Sequence, residues 1–208
     1  MSCYAKPEQE ITFFEIDAAV VRLVNQDIPD DPSVPRPFFT YLALARKQGA
    51  KIDFVLGDAR LKIEEQNAAN APKFTVLLVD AFSSDAIPVH LLTVEAVREY
   101  FERVEPNGIV ALHISNRHLD LDPVVGAIAK ELGLTSRIMN DHEDPDLYPG
   151  KTASSWVALA KTPEALGSIM TESQWKEVPT RSYVSAWTDD FNSLLKILRF
   201  QEVVAVRK

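Results

Sequence analysis

The feature that most constrains the fold is a continuous apolar run, FTVLLV at residues 74–79, which ends in the carboxylate of Asp80. A short run of this kind, bounded by loop residues, predicts a strand buried on both faces. In open α/β sheets, ligands bind outside the carboxyl ends of the strands. Asp80, and Asp85 in the polar loop that follows, are therefore candidates for chemistry. The competing interpretation is that they cap a helix or bond the loop backbone.

Around this run, strand patterns alternate with helix patterns along most of the chain. The alternation predicts an α/β fold with a mostly parallel sheet and helices on both faces, in a single domain that spans residues 1–208. The predicted strands cover residues 11–16, 52–56, 74–79, 109–114, 135–139 and 155–160. The predicted helices cover residues 18–25, 39–48, 61–67, 91–104, 122–132, 163–170 and 192–200. A turn is predicted at Pro106-Asn107-Gly108.

Composition and charge exclude several classes of function. The net charge of −8 argues against nucleic acid as the main partner, because phosphate binding needs a basic face. The chain has no apolar run of about 20 residues and no secretory signal, so we expect neither a membrane span nor export. Its single cysteine, Cys3, suits a reducing, cytoplasmic location. The four histidines follow no common ligand spacing, so no metal is expected.

Acidic side chains follow three of the predicted strands: Glu15 and Asp17 after the first, Asp58 after the second, and Asp80 after the third. In nucleotide-binding α/β folds, an acid in such a position commonly accepts hydrogen bonds from ribose hydroxyls. An Asp in the next turn suits an adenine amino group. Asp17 also suits the cap of the first helix.

Two further polar residues, His113 and Asn116, lie at the end of a later strand. One interpretation is that they orient a substrate beside Asp80. The competing interpretation is that they satisfy loop backbone groups. The sequence leaves both open.

Five stretches, FFEIDAAVVRLV, FVLGDARL, VDAFSSDAIPVHLLT, ALHISNRHLDL and WTDDF, resemble the spermidine synthase family. The likeness covers roughly residues 1–195 and is strongest to bacterial synthase-like domains often fused to membrane transporter segments. It implies the Rossmann-like class I methyltransferase fold. It also implies a homodimer and aminopropyl transfer from decarboxylated S-adenosylmethionine to an amine such as putrescine.

The resemblance assigns roles residue by residue. Glu15 matches the acid that holds the ribose, and Asp58 with Ala59 matches the pair beside the adenine ring. Asp80 matches the acid that helps to deprotonate the attacking amine, and Asp85 is similar to the acid that binds the amine chain. The family's loop is typically Asp-Ser-x-Asp-Pro, whereas this one reads Asp-Ala-Phe-Ser-Ser-Asp-Ala. The acceptor amine is therefore left open.

A larger departure concerns the family's first strand and its glycine-rich cofactor loop, which should precede residue 1. The chain has only seven glycines, and none forms GxGxG, the pattern that lets backbone approach a cofactor closely. We expect either a chain truncated at its N-terminus or a sheet that closes without this strand, with the tail at residues 202–208 as a possible substitute. Three functions remain open: an aminopropyltransferase, a small-molecule methyltransferase that uses S-adenosylmethionine, and a non-catalytic relative.

Overall fold

The structure, a computed structural model, describes residues 5–31, 33–80, 88–141 and 152–199. Contacts divide the chain into two compact units, residues 1–69 and 70–208, and each unit contains its own sheet. That the two act as a single domain stays a prediction. None of the helices in the described ranges combines the length and the apolar character that crossing a bilayer requires.

The first unit is built on two parallel strands. Their register pairs Glu10 with Lys51 and Glu15 with Leu56, so both strands end at the same edge. The predicted cap at Asp17 is confirmed, because its Oδ1 accepts the backbone N–H of Ala19 at 2.7 Å. The elements are β1 (Glu10–Glu15), α1 (Ala18–Val24), α2 (Tyr41–Lys47), β2 (Lys51–Leu56) and α3 (Ala59–Ala68).

The core of the first unit contains Leu42 and Ile63 together with a cluster of small side chains. Ala5, Ala45 and Ala50 form a buried cluster against which Ile11 and Ile52 pack. No side chain of α1 is buried. The rings of Phe13 and Phe54 stack across the strand pair with centroids 5.4 Å apart, a cross-strand contact typical of aromatic pairs.

The second unit contains a five-stranded sheet in the order β3-β4-β6-β5-β7. β3 and β4 are parallel, and β6 lies antiparallel between β4 and β5, so β5 runs in the same direction as β3 and β4. The prediction of an α/β fold with mostly parallel strands is confirmed. The elements are β3 (Phe74–Val79), α4 (Val94–Arg103), β4 (Val104–His113), α5 (Asp122–Glu131), β5 (Thr135–Asp141), β6 (Ser154–Ala160), α6 (Pro163–Leu166) and β7 (Trp175–Lys176).

Large buried side chains hold the second unit together. Trp187, 1% exposed, comes from the WTDDF stretch, and its carbonyl accepts the N–H of Val94 at 2.8 Å. Thr93 caps α4 through the N–H of Ala96 and donates its hydroxyl to Asp189 at 2.8 Å. The WTDDF stretch thus bonds to the start of α4 through Trp187 and Asp189.

A second contact of this kind anchors the entry to β3. The guanidinium of Arg103, at the end of α4, donates to the carbonyl of Ala71 at 3.0 Å and stacks over the ring of Phe74 at 4.5 Å. Burial lowers the pKa of Arg103, because it disfavours the charged form. The carbonyl and the ring compensate for the lost water, and these contacts fix where β3 begins.

Three sequence expectations differ from the structure. β3 is not buried on both faces: Val76 is 48% exposed and Leu78 is 40% exposed, and these side chains, two residues apart, share one face of the strand, which is incompletely covered. The predicted turn at residues 106–108 lies inside β4, where the register skips from Val104 to Ile109. Near the C-terminus, a 3₁₀ turn at Leu194–Ile197 replaces the predicted helix. The tail at residues 202–208 lies outside the described residues.

Candidate functional site

Two groups of predicted site residues lie in the two units. In the first unit, Glu15 ends β1 and its Oε1 accepts the N–H of Asp17 at 2.9 Å. The backbone carbonyl of Glu15 accepts the N–H of Gly57 at 2.9 Å, which ties the end of β1 to the turn after β2. Glu15 and Asp58 therefore lie at the same edge of the parallel pair, as predicted from the order of their strands.

Asp58 has a clear local role in this turn. Its Oδ1 accepts the N–H of Leu61 at 3.1 Å, so it is the N-cap of α3, and Ala59 is the first residue of that helix. Gly57, which precedes it, has φ +136°, a backbone conformation that L-residues rarely adopt. Asp58 thus caps a helix, and its place beside an adenine ring stays a prediction.

In the second unit, Asp80 and His113 meet at the ends of neighbouring parallel strands. Val79 pairs with Leu112, and one residue further along each strand the Oδ1 of Asp80 lies 2.6 Å from the Nδ1 of His113. Asp80 is exposed over 57% of its side chain and His113 over only 21%. The pair thus joins an accessible carboxylate to a mostly buried imidazole.

The second ring nitrogen of His113 and one face of its ring also have partners. The Nε2 of His113 lies 2.6 Å from the Oγ of Ser115, and that oxygen accepts the backbone N–H of Ser155 at 2.8 Å. The ring stacks on Trp156 of β6, with centroids 4.7 Å apart and planes at 17°. An ionised carboxylate only accepts hydrogen bonds, so Asp80 in that form selects the tautomer of His113 that carries hydrogen on Nδ1. Ser115 then donates to Nε2.

Asn116, predicted to lie beside this site, organises the loop after β4. Its side-chain carbonyl accepts the N–H groups of His118 and Leu119 at 2.9 and 2.8 Å, and its side chain is 8% exposed. These contacts match the interpretation in which Asn116 satisfies loop backbone groups. A role in orienting substrate stays a prediction for Asn116.

The sequence pattern did not mark Ser115 or Trp156 as site residues. The signal for Ser115 was present, because side chains two apart on a strand share a face and His113 and Ser115 are two apart. The contact with Trp156 depends on the antiparallel pairing of His113 with Trp156. A local sequence pattern does not encode that pairing.

The remaining site predictions have different outcomes. Asp85 lies outside the described residues. Among the described residues, no group of three or more His, Cys, Asp or Glu side chains is placed to hold a metal ion. A cavity of about 580 Å³ in the first unit is lined by Leu23 and the proline-rich segment at 34–38, away from the predicted acids of that unit.

The fold places this chain in a structural class. It is the class I methyltransferase-like fold of spermidine synthase-like proteins. The chain is similar to the structure of a probable spermidine synthase from Corynebacterium glutamicum ATCC 13032, with a TM-score of 0.51 and 19% identity over 88% of this chain and 64% of that one.

Two further solved structures share the likeness more loosely. The first is spermidine synthase from Thermotoga maritima, with a TM-score of 0.47 and 12% identity over 83% of this chain and 54% of that one. The second is MnmC2 from Aquifex aeolicus, with a TM-score of 0.43 and 18% identity over 80% of this chain and 50% of that one. The chain spans between half and about two thirds of the length of these three structures. No protein-family model matches it, and no curated protein does.

Proposed function

We propose that this protein is a transferase that moves a carbon-bearing group from an adenosyl sulfonium to an amine, with Asp80 as the acid that meets the amine. The observation that carries the proposal is the contact between Asp80 and His113 at the ends of β3 and β4, with most of the carboxylate accessible. Ligands of open α/β sheets bind at such strand ends.

Transfer of a carbon-bearing group to an amine requires a proton acceptor, and one accessible carboxylate can supply it. An alkylamine has a pKa of about 10, so at neutral pH it arrives as an ammonium and must lose a proton before it can attack. A carboxylate attracts the ammonium and then accepts that proton, directly or through water. When bound, an adenosyl sulfonium supplies an electrophilic carbon next to its charged sulfur.

The first unit supports the cofactor part of the proposal. Glu15 and Asp58 place two carboxylates, which are acceptors of hydroxyl and amino hydrogens, at one edge of a parallel strand pair. Glu15, with Asp17 beside it, would hold the ribose, and the turn at Asp58 and Ala59 would lie beside the base. Decarboxylated S-adenosylmethionine and S-adenosylmethionine share this nucleoside.

Aminopropyl transfer to a polyamine precursor is the first candidate, with Asp85 as the second acid for the amine chain. Methyl transfer is the second, because the loop Asp-Ala-Phe-Ser-Ser-Asp-Ala departs from the loop typical of polyamine synthases. A non-catalytic relative is the third candidate. By resemblance, a homodimer in the cytoplasm completes the proposal.

The test is transfer activity with each cofactor. Putrescine with decarboxylated S-adenosylmethionine should give an aminopropylated product, whereas methylated product from S-adenosylmethionine would support the second candidate. Asp80→Asn should abolish turnover with an unchanged circular dichroism spectrum, because it removes the proton acceptor and keeps the shape. Asp53→Asn, at an exposed acid on β2, is the matched control.

Two outcomes would overturn parts of this proposal. Unchanged turnover in Asp80→Asn would refute the role of that carboxylate. Failure of both nucleosides to bind in calorimetry would support the non-catalytic relative instead.

A further inference from the structure

We propose that His113 is a positioning residue whose ring is held by Ser115 and Trp156. It hydrogen-bonds one carboxylate oxygen of Asp80 and leaves the other oxygen to receive the amine. The inference rests on the proposed function and deepens it, because it states which atoms of the site face the substrate. It adds two residues, Ser115 and Trp156, that family resemblance did not assign.

The support for His113 comes from three directions. Ser115 fixes Nε2 and is itself tied to β6 by the N–H of Ser155. Trp156 covers one ring face at 4.7 Å. The flanking residues Leu112 and Ile114 are fully buried, so the strand that carries the imidazole is anchored in the core. A ring held in this way has little freedom to turn away from Asp80.

The consequence for Asp80 follows from its exposure. A carboxylate with 57% of its side chain accessible would ordinarily sample several rotamers. A hydrogen bond of 2.6 Å to an imidazole held on its other sides removes most of that freedom. Oδ1 is engaged by Nδ1, so the acceptor presented to an incoming ammonium is Oδ2. Pre-positioned groups of this kind account for large parts of enzymatic rate.

The same connectivity, Asp80 to His113 to Ser115, also occurs in serine hydrolases. One contact argues against a nucleophilic Ser115: its Oγ already accepts the N–H of Ser155, which fixes the oxygen against β6. We therefore assign Ser115 to holding the ring. Ser115→Ala separates the two roles, because turnover survives the loss of a holding residue, whereas a nucleophile is indispensable.

The decisive variants are His113→Asn and His113→Gln, which form a matched pair. The amide nitrogen of Asn lies near the position of Nδ1 and can still donate to Asp80, whereas that of Gln lies near Nε2 and can reach only Ser115. We expect His113→Gln to lower kcat/KM for the amine about 100-fold, the size of effect that follows when a reacting group is misplaced by about 1 Å. His113→Asn should retain activity within about tenfold of wild type.

A purely structural role for His113 would give a different pattern. The positioning role predicts that His113→Gln raises KM for the amine and leaves KM for the sulfonium cofactor unchanged. Equal losses in Asn and Gln variants, or parallel changes in both KM values, would overturn the inference. Circular dichroism of both variants shows whether each is folded.

A second measurement does not depend on turnover. Nitrogen NMR of the histidine-labelled full chain, with His113→Asn to assign the resonance, should show hydrogen on Nδ1 and none on Nε2 of neutral His113. Asp80→Ala should abolish this preference, and Ser115→Ala should keep it. Hydrogen on Nε2 in wild type would overturn the inference. The Nδ1–H tautomer without turnover from either cofactor would instead overturn the proposed function.

Discussion

The two units of the chain differ in how completely their strands are covered. In the first unit, α1 buries no side chain and Phe38 is 95% exposed, and the large buried side chains are Leu42 and Ile63. In the second unit, Trp187, Tyr100 and many other large side chains are almost fully buried. Similar apolar runs thus give a small core in one unit and a larger core in the other. Burial depends on what packs against a strand as well as on its pattern.

The candidate residues follow the same division. In the first unit, the side chains of Glu15, Asp17 and Asp58 each accept a backbone N–H two or three residues further along the chain. In the second unit, Asp80 and His113 are 33 positions apart and meet only because β3 pairs with β4. A contact of that kind depends on a complete core, which makes the second unit the better place for a precise side-chain geometry.

The largest expected effect tests the core of the second unit. Trp187→Ala should lower the free energy of unfolding by about 3–5 kcal/mol, because it leaves a large cavity at a fully buried position. Val20→Ala, on α1 of the first unit, should change it by less than about 0.5 kcal/mol. Chemical denaturation followed by tryptophan fluorescence measures the first, since Trp156 and Trp175 remain as probes. An equal decrease in the free energy of unfolding in the two variants would contradict the difference between the two cores.

A medium effect is expected at the edge of the first unit. Gly57→Ala should destabilise β1 and β2 by about 1–3 kcal/mol, because φ +136° is strained for a residue with a Cβ. The comparison is Gly133→Ala in the second unit, which has a positive φ of +66° but no described atom within 4 Å of the added Cβ, whereas the added Cβ at Gly57 lies 2.9 Å from Cε of Lys62. Hydrogen exchange of the β1 and β2 amides reports the change. Slower exchange in Gly57→Ala would show that this turn carries no strain.

The smallest effect concerns an acid of the second unit. Burial, and then the nearby Asp120, raise the pKa of Asp122 above its ordinary 3.8, although Arg199 and Arg181 partly offset this. The folded state therefore binds this proton more tightly than the unfolded state, and stability is lost as pH rises from about 3.8 through the raised value. Asp122→Asn should increase stability at neutral pH and give no gain below 3.8. Denaturation series at several pH values measure this, and a gain independent of pH would contradict it.

Much of the fold was predictable from local pattern. The strands at 11–16, 52–56 and 74–79 appear within about a residue of their predicted bounds, and Asp17 caps its helix as expected. These features depend on alternation, β-branched residues and capping chemistry, which are written in a few adjacent residues.

The features that could not be predicted from the sequence depend on contacts between residues far apart in the chain. Val104 extends β4 through the predicted turn because Phe74 pairs with it. The helix expected near residue 196 gives way because Leu198 forms a bridge with Leu119 and the carbonyl of Ile197 accepts the N–H of Asp120. The contact between Asp80 and His113 likewise requires the register of two strands, which one sequence does not reveal.

The central claim is that the carboxylate of Asp80 receives a cationic amine at the end of β3. Calorimetric titration of putrescine into the full chain, with and without Asp80→Asn, tests it directly. The account predicts that Asp80→Asn weakens the affinity at least about tenfold, as expected when one partner of a charge-assisted hydrogen bond is removed. Equal affinity in the two proteins would contradict it.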